Sequence, residues 1–267
     1  MTSAKEFDKY RYYINSVQSP GEDMKFVNQA YADARGPNAV ANILREDFCG
    51  TFGNCAAWIK QGENKVAYGV DLDPEPLEWG RIHHYEPLSP NQKERLKILQ
   101  QNVLNPELPA ADVICALNFS YFLFKQREDL KRYFQSCLSA LNKDGIILLD
   151  CFGGSTCMEP NEEETEYEEE GYSYFWDQDL FDPLTNHAIY HIHFKLKGEP
   201  KREKLFTYDW RMWSVPELRD LLMECGFSKV HTYWEGTNED GEGDGEYYVA
   251  ESGDDCESWV SYIVGIK

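Results

Sequence analysis

The stretch Arg45-Glu46-Asp47-Phe48-Cys49-Gly50-Thr51-Phe52-Gly53-Asn54-Cys55-Ala56 decides how the chain is read, because it joins a short apolar run, NILRE, to a helix-forming segment. NILRE has the length and composition of a buried strand. Asn54 to Lys60, closed by Gly62, reads as the helix after it, and KVAYGV at 65–70 as a second strand. A dinucleotide site at such a junction needs G-x-G-x-x-G, since the pyrophosphate must press against backbone N–H groups at a helix start. Only Gly50 and Gly53 are present here, and Phe48 and Phe52 stand where that approach wants no side chain. A phosphate-rich ligand is therefore disfavoured, and with it a nicotinamide-dependent oxidoreductase.

Outward from this loop the alternation continues. Pro74 to His84 reads as a helix with proline just inside its start, where a missing N–H costs little. RLKILQQ at 95–101, DVICALN at 112–118 and GIILLDCF at 145–152 read as strands, with a helix from Lys125 to Leu141. Strands and helices at this spacing predict a parallel sheet with crossover helices. After Gly153-Gly154 the character changes. The charge run EPNEEETEYEEEG at 159–171 reads as a solvated loop, and YSYFWDQ, HAIYHIHFKLK and KLFTYDWRMW as antiparallel strands. Ser214-Val215-Pro216-Glu217 opens a helix with a serine cap that stops at Gly226, and KVHTYWEG and SWVSYIVGIK close the chain as two strands flanking an acidic loop.

At 267 residues with 42% hydrophobic content the chain can fill a substantial core, and its formal net charge of −21 repels a nucleic-acid backbone. No basic patch offsets that charge, so no direct nucleic-acid partner is expected. Eight cysteines are scattered without a CxxC pair, several inside apolar runs, which fits free thiols in a reducing compartment. No secretion signal or membrane-length apolar run is present, and the cytoplasm is the expected location.

A ligand joining adenosine to an amino acid through a sulfonium makes a different demand on the loop. It needs one flexible turn, a carboxylate for the ribose hydroxyls and acceptors for an ammonium group. Glu46 and Asp47 favour a cation, and Asp71, twenty-one residues after Gly50, ends the second strand where a carboxylate can take both ribose hydroxyls. Here the chain resembles the class I S-adenosylmethionine-dependent methyltransferases. Their first motif commonly reads D-x-G-C-G-x-G, and Glu46, Cys49 and Gly50 stand at its acidic, Cys and Gly places. Asp71 in GVDLDPE matches the second motif. Asn102 in LQQNVLN falls where the family usually has the acid that reads the adenine amine. DVICALNFSYF and the late strand pair resemble the fourth motif and the closing hairpin. LREDFCGT, GVDLDPEPLEWGR, ALNFSYFLFK and FTYDWRMWSVPELRDLL resemble those of a bacterial subgroup.

The resemblance implies a single Rossmann-like α/β domain over 1–267. It has a mostly parallel seven-stranded sheet with helices on both faces, a helical cap at 1–38, and an antiparallel insertion at 155–213 after strand five that covers the substrate. It implies S-adenosylmethionine as cofactor, held by Glu46, Cys49, Gly50, Gly53, Asp71, Leu72, Asn102, Val103 and Asn118. Methyl transfer from sulfonium is an in-line displacement that needs a general base only when the acceptor arrives protonated. The acceptor expected is a small molecule; the alternatives are a non-catalytic cofactor-binding module and action on tRNA through a partner.

Asn118 and Tyr121, just after the fourth strand, are the candidates for the floor beside the methyl group. In Tyr208-Asp209-Trp210-Arg211-Met212-Trp213, Tyr208, Trp210 and Arg211 are the candidates for holding a cationic acceptor against aromatic faces. Strand alternation puts Tyr208 and Trp210 on one face and Arg211 on the other, so one set lines a pocket and the other packs. His187, His191 and His193 share a strand face and read as a polar surface, without a third ligand at metal spacing. The loop Asp240 to Glu251 nearly fits a calcium pattern but lacks flanking helices, leaving an acidic rim or a solvated loop as readings beside calcium. Tyr10, Tyr12, Tyr13 and Gln18 either form a lid or simply dock the N-terminus.

Overall fold

A computed structural model describes residues 7–238 and 242–267. The chain runs α1 (Lys9–Val17), α2 (Pro20–Arg35), β1 (Ile43–Asp47), α3 (Gly53–Lys60), β2 (Val66–Asp71), α4 (Pro74–Gly80), α5 (Pro90–Arg95), β3 (Leu96–Gln100), β4 (Ala111–Ala116), α6 (Arg127–Ala140) and β5 (Leu141–Gly153). It continues through β6 (Asn161–Tyr167), β7 (Tyr172–Asp182), β8 (His187–Leu196), β9 (Arg202–Arg211), α7 (Val215–Cys225), β10 (Lys229–Thr237), β11 (Gly243–Val249) and β12 (Trp259–Ile266).

The main sheet has eight strands in the order β11-β10-β12-β5-β4-β1-β2-β3. Its strands β1 to β5 are parallel, while β12, β10 and β11 join antiparallel. Alternation along the central strands sorts the core into two layers. Val113, Cys115, Ile146 and Leu148 face α2 and α3, meeting Met24, Val27, Trp58 and Ile59. Ile114, Ala116, Ile147 and Leu149 face α6 and α7, meeting Tyr133, Phe134, Leu218 and Leu222. The strand order reverses beside β1, between β2 and β4, and in open α/β sheets a ligand crevice lies there, beyond the carboxyl ends of the strands.

The fold matches the α/β expectation, with two corrections. The sheet has eight strands rather than seven, because part of the acidic loop pairs with β10 as β11. The charge run is a strand as well. Asn161–Tyr167 forms β6 on the edge of a second sheet, β6-β7-β8-β9, where alternating glutamates point to solvent and keep the open edge from pairing with another chain. Charge density alone reads as loop; it is also how an exposed edge strand is written. No helix among the described residues is long and apolar enough to cross a membrane. The cysteines are free, six of them buried.

Candidate active site

The loop between β1 and α3 takes left-handed turns at phenylalanine as well as at glycine. Phe48, Gly50 and Phe52 all take left-handed conformations, with φ of 60°, 51° and 50°. The two phenylalanines accept that backbone because their rings leave the loop in opposite directions. Phe48 packs on Phe124 and Tyr133, and Phe52 is buried against His84. A methyl group on Gly80 would lie 2.3 Å from the Thr51 carbonyl oxygen and 2.5 Å from the Phe52 ring, so glycine there lets α4 press against the loop. Phe48 and Phe52, expected to stand where a close-approaching ligand wants no side chain, instead pack their rings into the core. Above Gly50 a Cβ would meet nothing within 4 Å.

Two carboxyl groups flank this loop. Asp71 accepts the Gly50 N–H at 2.7 Å and the Asp73 N–H at 2.9 Å. Glu46 is buried and accepts the Cys55 N–H at 3.2 Å, the Cys55 thiol at 3.1 Å and the Asn54 side-chain amide at 3.1 Å. Register pairs Glu46 with Gly69, two residues before Asp71, so both carboxylates project from the same face of adjacent strands. Burial, with Glu46 and Asp71 both near, pushes the Cys49 thiol far up, keeping it protonated between them. Burial also raises the Glu46 carboxyl to about 7. Asp23 on α2 lies beside Asn54, and burial pushes its carboxyl up to about 6. The Asn54 Oδ1 is buried with no hydrogen-bond partner among the described residues, an acceptor awaiting a donor.

Asp47 does not join them. One residue on from Glu46, it points to the opposite face, where Arg45 pairs with it at 2.8 Å and Tyr133 donates to it at 2.9 Å. The expectation that Asp47 adds to the crevice charge is corrected: it is neutralised inside the core between β1 and α6.

At the end of β4, Asn118 and Phe119 take consecutive left-handed conformations, φ 55° and 57°. This local strain, of order 1–3 kcal/mol per residue, must be held by the surroundings. The holder is Asp150 on β5, whose carboxylate accepts the Asn118 N–H at 2.6 Å and the Phe119 N–H at 2.9 Å. Asp150 is only 6% exposed, and burial raises its carboxyl to about 7. It was missed in the sequence; an aspartate interrupting the apolar run IILLDCF was the available signal. Tyr121 is placed elsewhere than expected. It is fully buried, and its hydroxyl donates to the Asp150 carbonyl oxygen at 2.7 Å, so it braces β5 from within the core.

Asn118 and Asp150 form the floor of a cavity of about 460 Å³. The insertion roofs it with Tyr174, Trp176, Tyr208 and Trp210. Tyr208 and Trp210 stack at 4.4 Å, as their shared strand face requires. Arg211 points away, its guanidinium 3.8 Å over the Trp213 ring and bonded to Glu217 at 3.1 Å, and takes no part in the cavity. Helix α1 closes the side. Tyr10 meets Trp79 on α4 and Phe206 on β9, and Trp79 donates to Asp8 at 2.9 Å. Tyr13 enters the cavity, its hydroxyl interacting with Tyr208 and Asn118, which partly offsets the burial that raises its pKa. The N-terminal tyrosines thus bridge the sheet domain and the insertion.

Of the remaining expected residues, Leu72 is 60% exposed beside Asp71 and Val103 is buried. Asn102 accepts the Leu104 N–H at 2.9 Å, closing its own turn after β3. His191 and His193 are buried rather than solvated, facing Asp179 and Asp177. Glu162, Asp177 and His193 bring ligand atoms within 4.8 Å of one another. The Lys204 N–H, however, donates to His193 Nδ1 at 2.7 Å, which places the imidazole proton on Nε2 toward Asp177. Metal-binding imidazoles have the reverse arrangement, and Lys201 already occupies Glu162. Asp240, the first position of the calcium-like pattern, lies outside the described residues. Asp244 and Gly245 lie in the β11 hairpin, where the Gly245 N–H bonds to Glu235 at 3.0 Å.

No family model and no curated protein matches the sequence. Solved structures do resemble it in three dimensions. An amino pentose methyltransferase of calicheamicin biosynthesis from Micromonospora echinaspora, with S-adenosylmethionine bound, superposes with TM-score 0.68 at 14% identity, each chain covered over 100% of its length. The chain has the class I methyltransferase fold. A sugar N-methyltransferase from Streptoalloteichus gives 0.62 at 15% identity, covering 100% of this chain and 95% of that one. An S-adenosylmethionine-dependent methyltransferase from Clostridium acetobutylicum gives 0.60 at 14%, over 96% and 97%. In this fold the open left-handed turn at Gly50, flanked by Glu46 and Asp71, occupies the first strand-to-helix junction.

Proposed function

We propose that the protein is an S-adenosylmethionine-dependent methyltransferase acting on a small molecule. The observation that carries this is the open space over Gly50 with the Asp71 carboxylate on the Gly50 N–H, together with a buried Glu46 carboxyl and an unpartnered Asn54 oxygen beside the same loop. In this reading Asp71 takes the ribose hydroxyls, with Leu72 and Val103 beside the adenine and the Asn102 amide near its edge. Glu46, Asp23 and Asn54 accept the ammonium group, and Cys49, Gly50 and Gly53 shape the turn past which the amino acid runs. A cation suits this lining, because burial, with a neighbouring carboxyl in each case, pushes the Glu46 and Asp23 carboxyls up, and a neighbouring positive charge relieves the cost of ionising them.

When bound, the cofactor supplies an electrophilic methyl group, its C–S bond breaking with the electron pair left on sulfur. The protein's part is placement. Asn118 stands on the cavity floor at the end of β4, next to β1, and Asp150 fixes its strained backbone. Tyr208 and Trp210 hold the acceptor against that floor. Fixing two reactants in attacking geometry can supply about 7–11 kcal/mol of barrier lowering.

Calorimetry with S-adenosylhomocysteine and with NAD tests the cofactor reading. Saturable binding of the first and none of the second is expected; tight NAD binding without S-adenosylhomocysteine binding would overturn it. Transfer of labelled methyl to components of a small-metabolite extract then separates an enzyme from a module that only binds.

A further inference from the structure

The cavity's charge is one-sided. Asp23, Asp150 and Glu163 line it, and no lysine, arginine or histidine does among the described residues. Asp23 sits with Asn54 and Glu46 on the cofactor side, leaving Asp150 on the floor and Glu163 at the rim. Glu163 pairs directly with Trp176 across β6 and β7, which sets a carboxylate beside an indole face on one side of the sheet. Tyr174, Trp176 and Tyr208 are only half-buried, so their rings are open to an occupant, while stacking of Trp176 on Tyr190 at 4.9 Å holds the wall rigid. Aromatic faces between carboxylates attract organic cations and repel carboxylates and phosphates.

We propose that the methyl acceptor is a primary or secondary alkylamine that enters past Glu163 at the rim as its ammonium ion and seats its nitrogen at Asp150 on the floor, with its carbon skeleton against Tyr174, Trp176 and Tyr208. This rests on the cavity being the acceptor site of the methyltransferase proposed above. An ammonium nitrogen has no lone pair, so one N–H proton passes to the Asp150 carboxylate. The freed pair forms the N–C bond to the methyl carbon as the C–S bond breaks toward sulfur, and the product leaves as a methylammonium ion. Asp150 can receive that proton. Each of its oxygens accepts one backbone N–H and keeps a second lone-pair direction, and burial already brings its carboxyl to about 7. The groups facing it are the Asn118 and Phe119 amides, the hydroxyls of Tyr13, Tyr121, Tyr247 and Tyr262, the thiols of Cys115 and Cys151, and the Asp23 carboxyl, none of them a permanent cation.

The test is a tryptophan-fluorescence titration of the full chain, saturated with S-adenosylhomocysteine, by benzylamine, benzyl alcohol and benzoate. These share a ring and differ in charge. Benzylamine is expected to bind about tenfold or more tighter than the alcohol, and benzoate more weakly than both. Glu163→Gln, on an exposed edge strand, should shrink the amine-to-alcohol ratio several-fold with S-adenosylhomocysteine affinity unchanged. The proposal is overturned if benzoate or the alcohol matches the amine, if Glu163→Gln leaves the ratio intact, or if S-adenosylhomocysteine binds and benzylamine does not. Failure to bind S-adenosylhomocysteine would instead sink the methyltransferase reading on which it stands.

Discussion

Asp71→Asn isolates the cofactor reading. In the wild-type protein the two carboxylate oxygens each accept one backbone N–H, from Gly50 at 2.7 Å and from Asp73 at 2.9 Å, and each retains a lone pair for a ribose hydroxyl. Asparagine offers a single oxygen and turns an NH₂ group toward one of those backbone donors. It therefore loses one hydroxyl contact and the charge that strengthens the other. Hydrogen bonds to a charged group are worth about 1.5–3 kcal/mol, so affinity for S-adenosylhomocysteine should fall by about 10- to 150-fold. Asp71 is only half-buried and the Gly50 N–H can turn to water, so the fold should lose no more than about 1 kcal/mol. Calorimetry well below the melting temperature measures the first quantity and urea denaturation the second. An unchanged Kd in a folded variant would refute the placement of the ribose at Asp71. A stability loss above about 3 kcal/mol would show that Asp71 acts through the loop and not through the ligand.

Breaking the buried pair by Arg45→Met should cost about 3–5 kcal/mol in urea denaturation, since it strands Asp47 in the core, and adding Asp47→Leu should recover most of that loss. An Arg45→Met protein as stable as the parent would show that the pair is hydrated. The Glu46 and Asp150 carboxyls, raised by burial to about 7, stabilise the ligand-free fold fully below their unfolded values near 4, and this contribution is lost as pH rises toward 7. Binding of the sulfonium cofactor should draw the crevice carboxyls into their ionised form and release protons near pH 6.5. Binding enthalpies that do not vary with the buffer's ionisation enthalpy would contradict this.

The architecture was legible because hydrophobic runs of strand length alternate with helical periodicity through the first half of the chain, and because Ser214, Pro216 and Gly226 punctuate α7 as capping chemistry dictates. What was not legible depended on pairing across long separations. β6 has a composition that favours solvent, and only the neighbouring β7 makes it a strand. β11 is likewise recruited by β10, its charged side chains exposed on an edge. Local sequence states how a segment meets water; it does not state which edge is waiting for it.

The site shows the same division one level deeper. Glu46 and Asp47 are adjacent and chemically alike, yet strand alternation sends one to the crevice and the other to Arg45, so only knowledge of which face carries α6 could assign them. Phe48 and Phe52 mislead in the opposite sense. Glycine is read as a requirement for close approach, whereas the requirement is a left-handed backbone with nothing above it. A phenylalanine satisfies it when a core on either side takes the ring and offsets the strain. Asp150 is the converse case, a charged residue inside an apolar run. Its burial is tolerated because two left-handed residues aim their N–H groups at it. Loop strain and the desolvated carboxylate each stabilise the other, so the floor of the cavity is specified by a pair of features that would each be unfavourable alone.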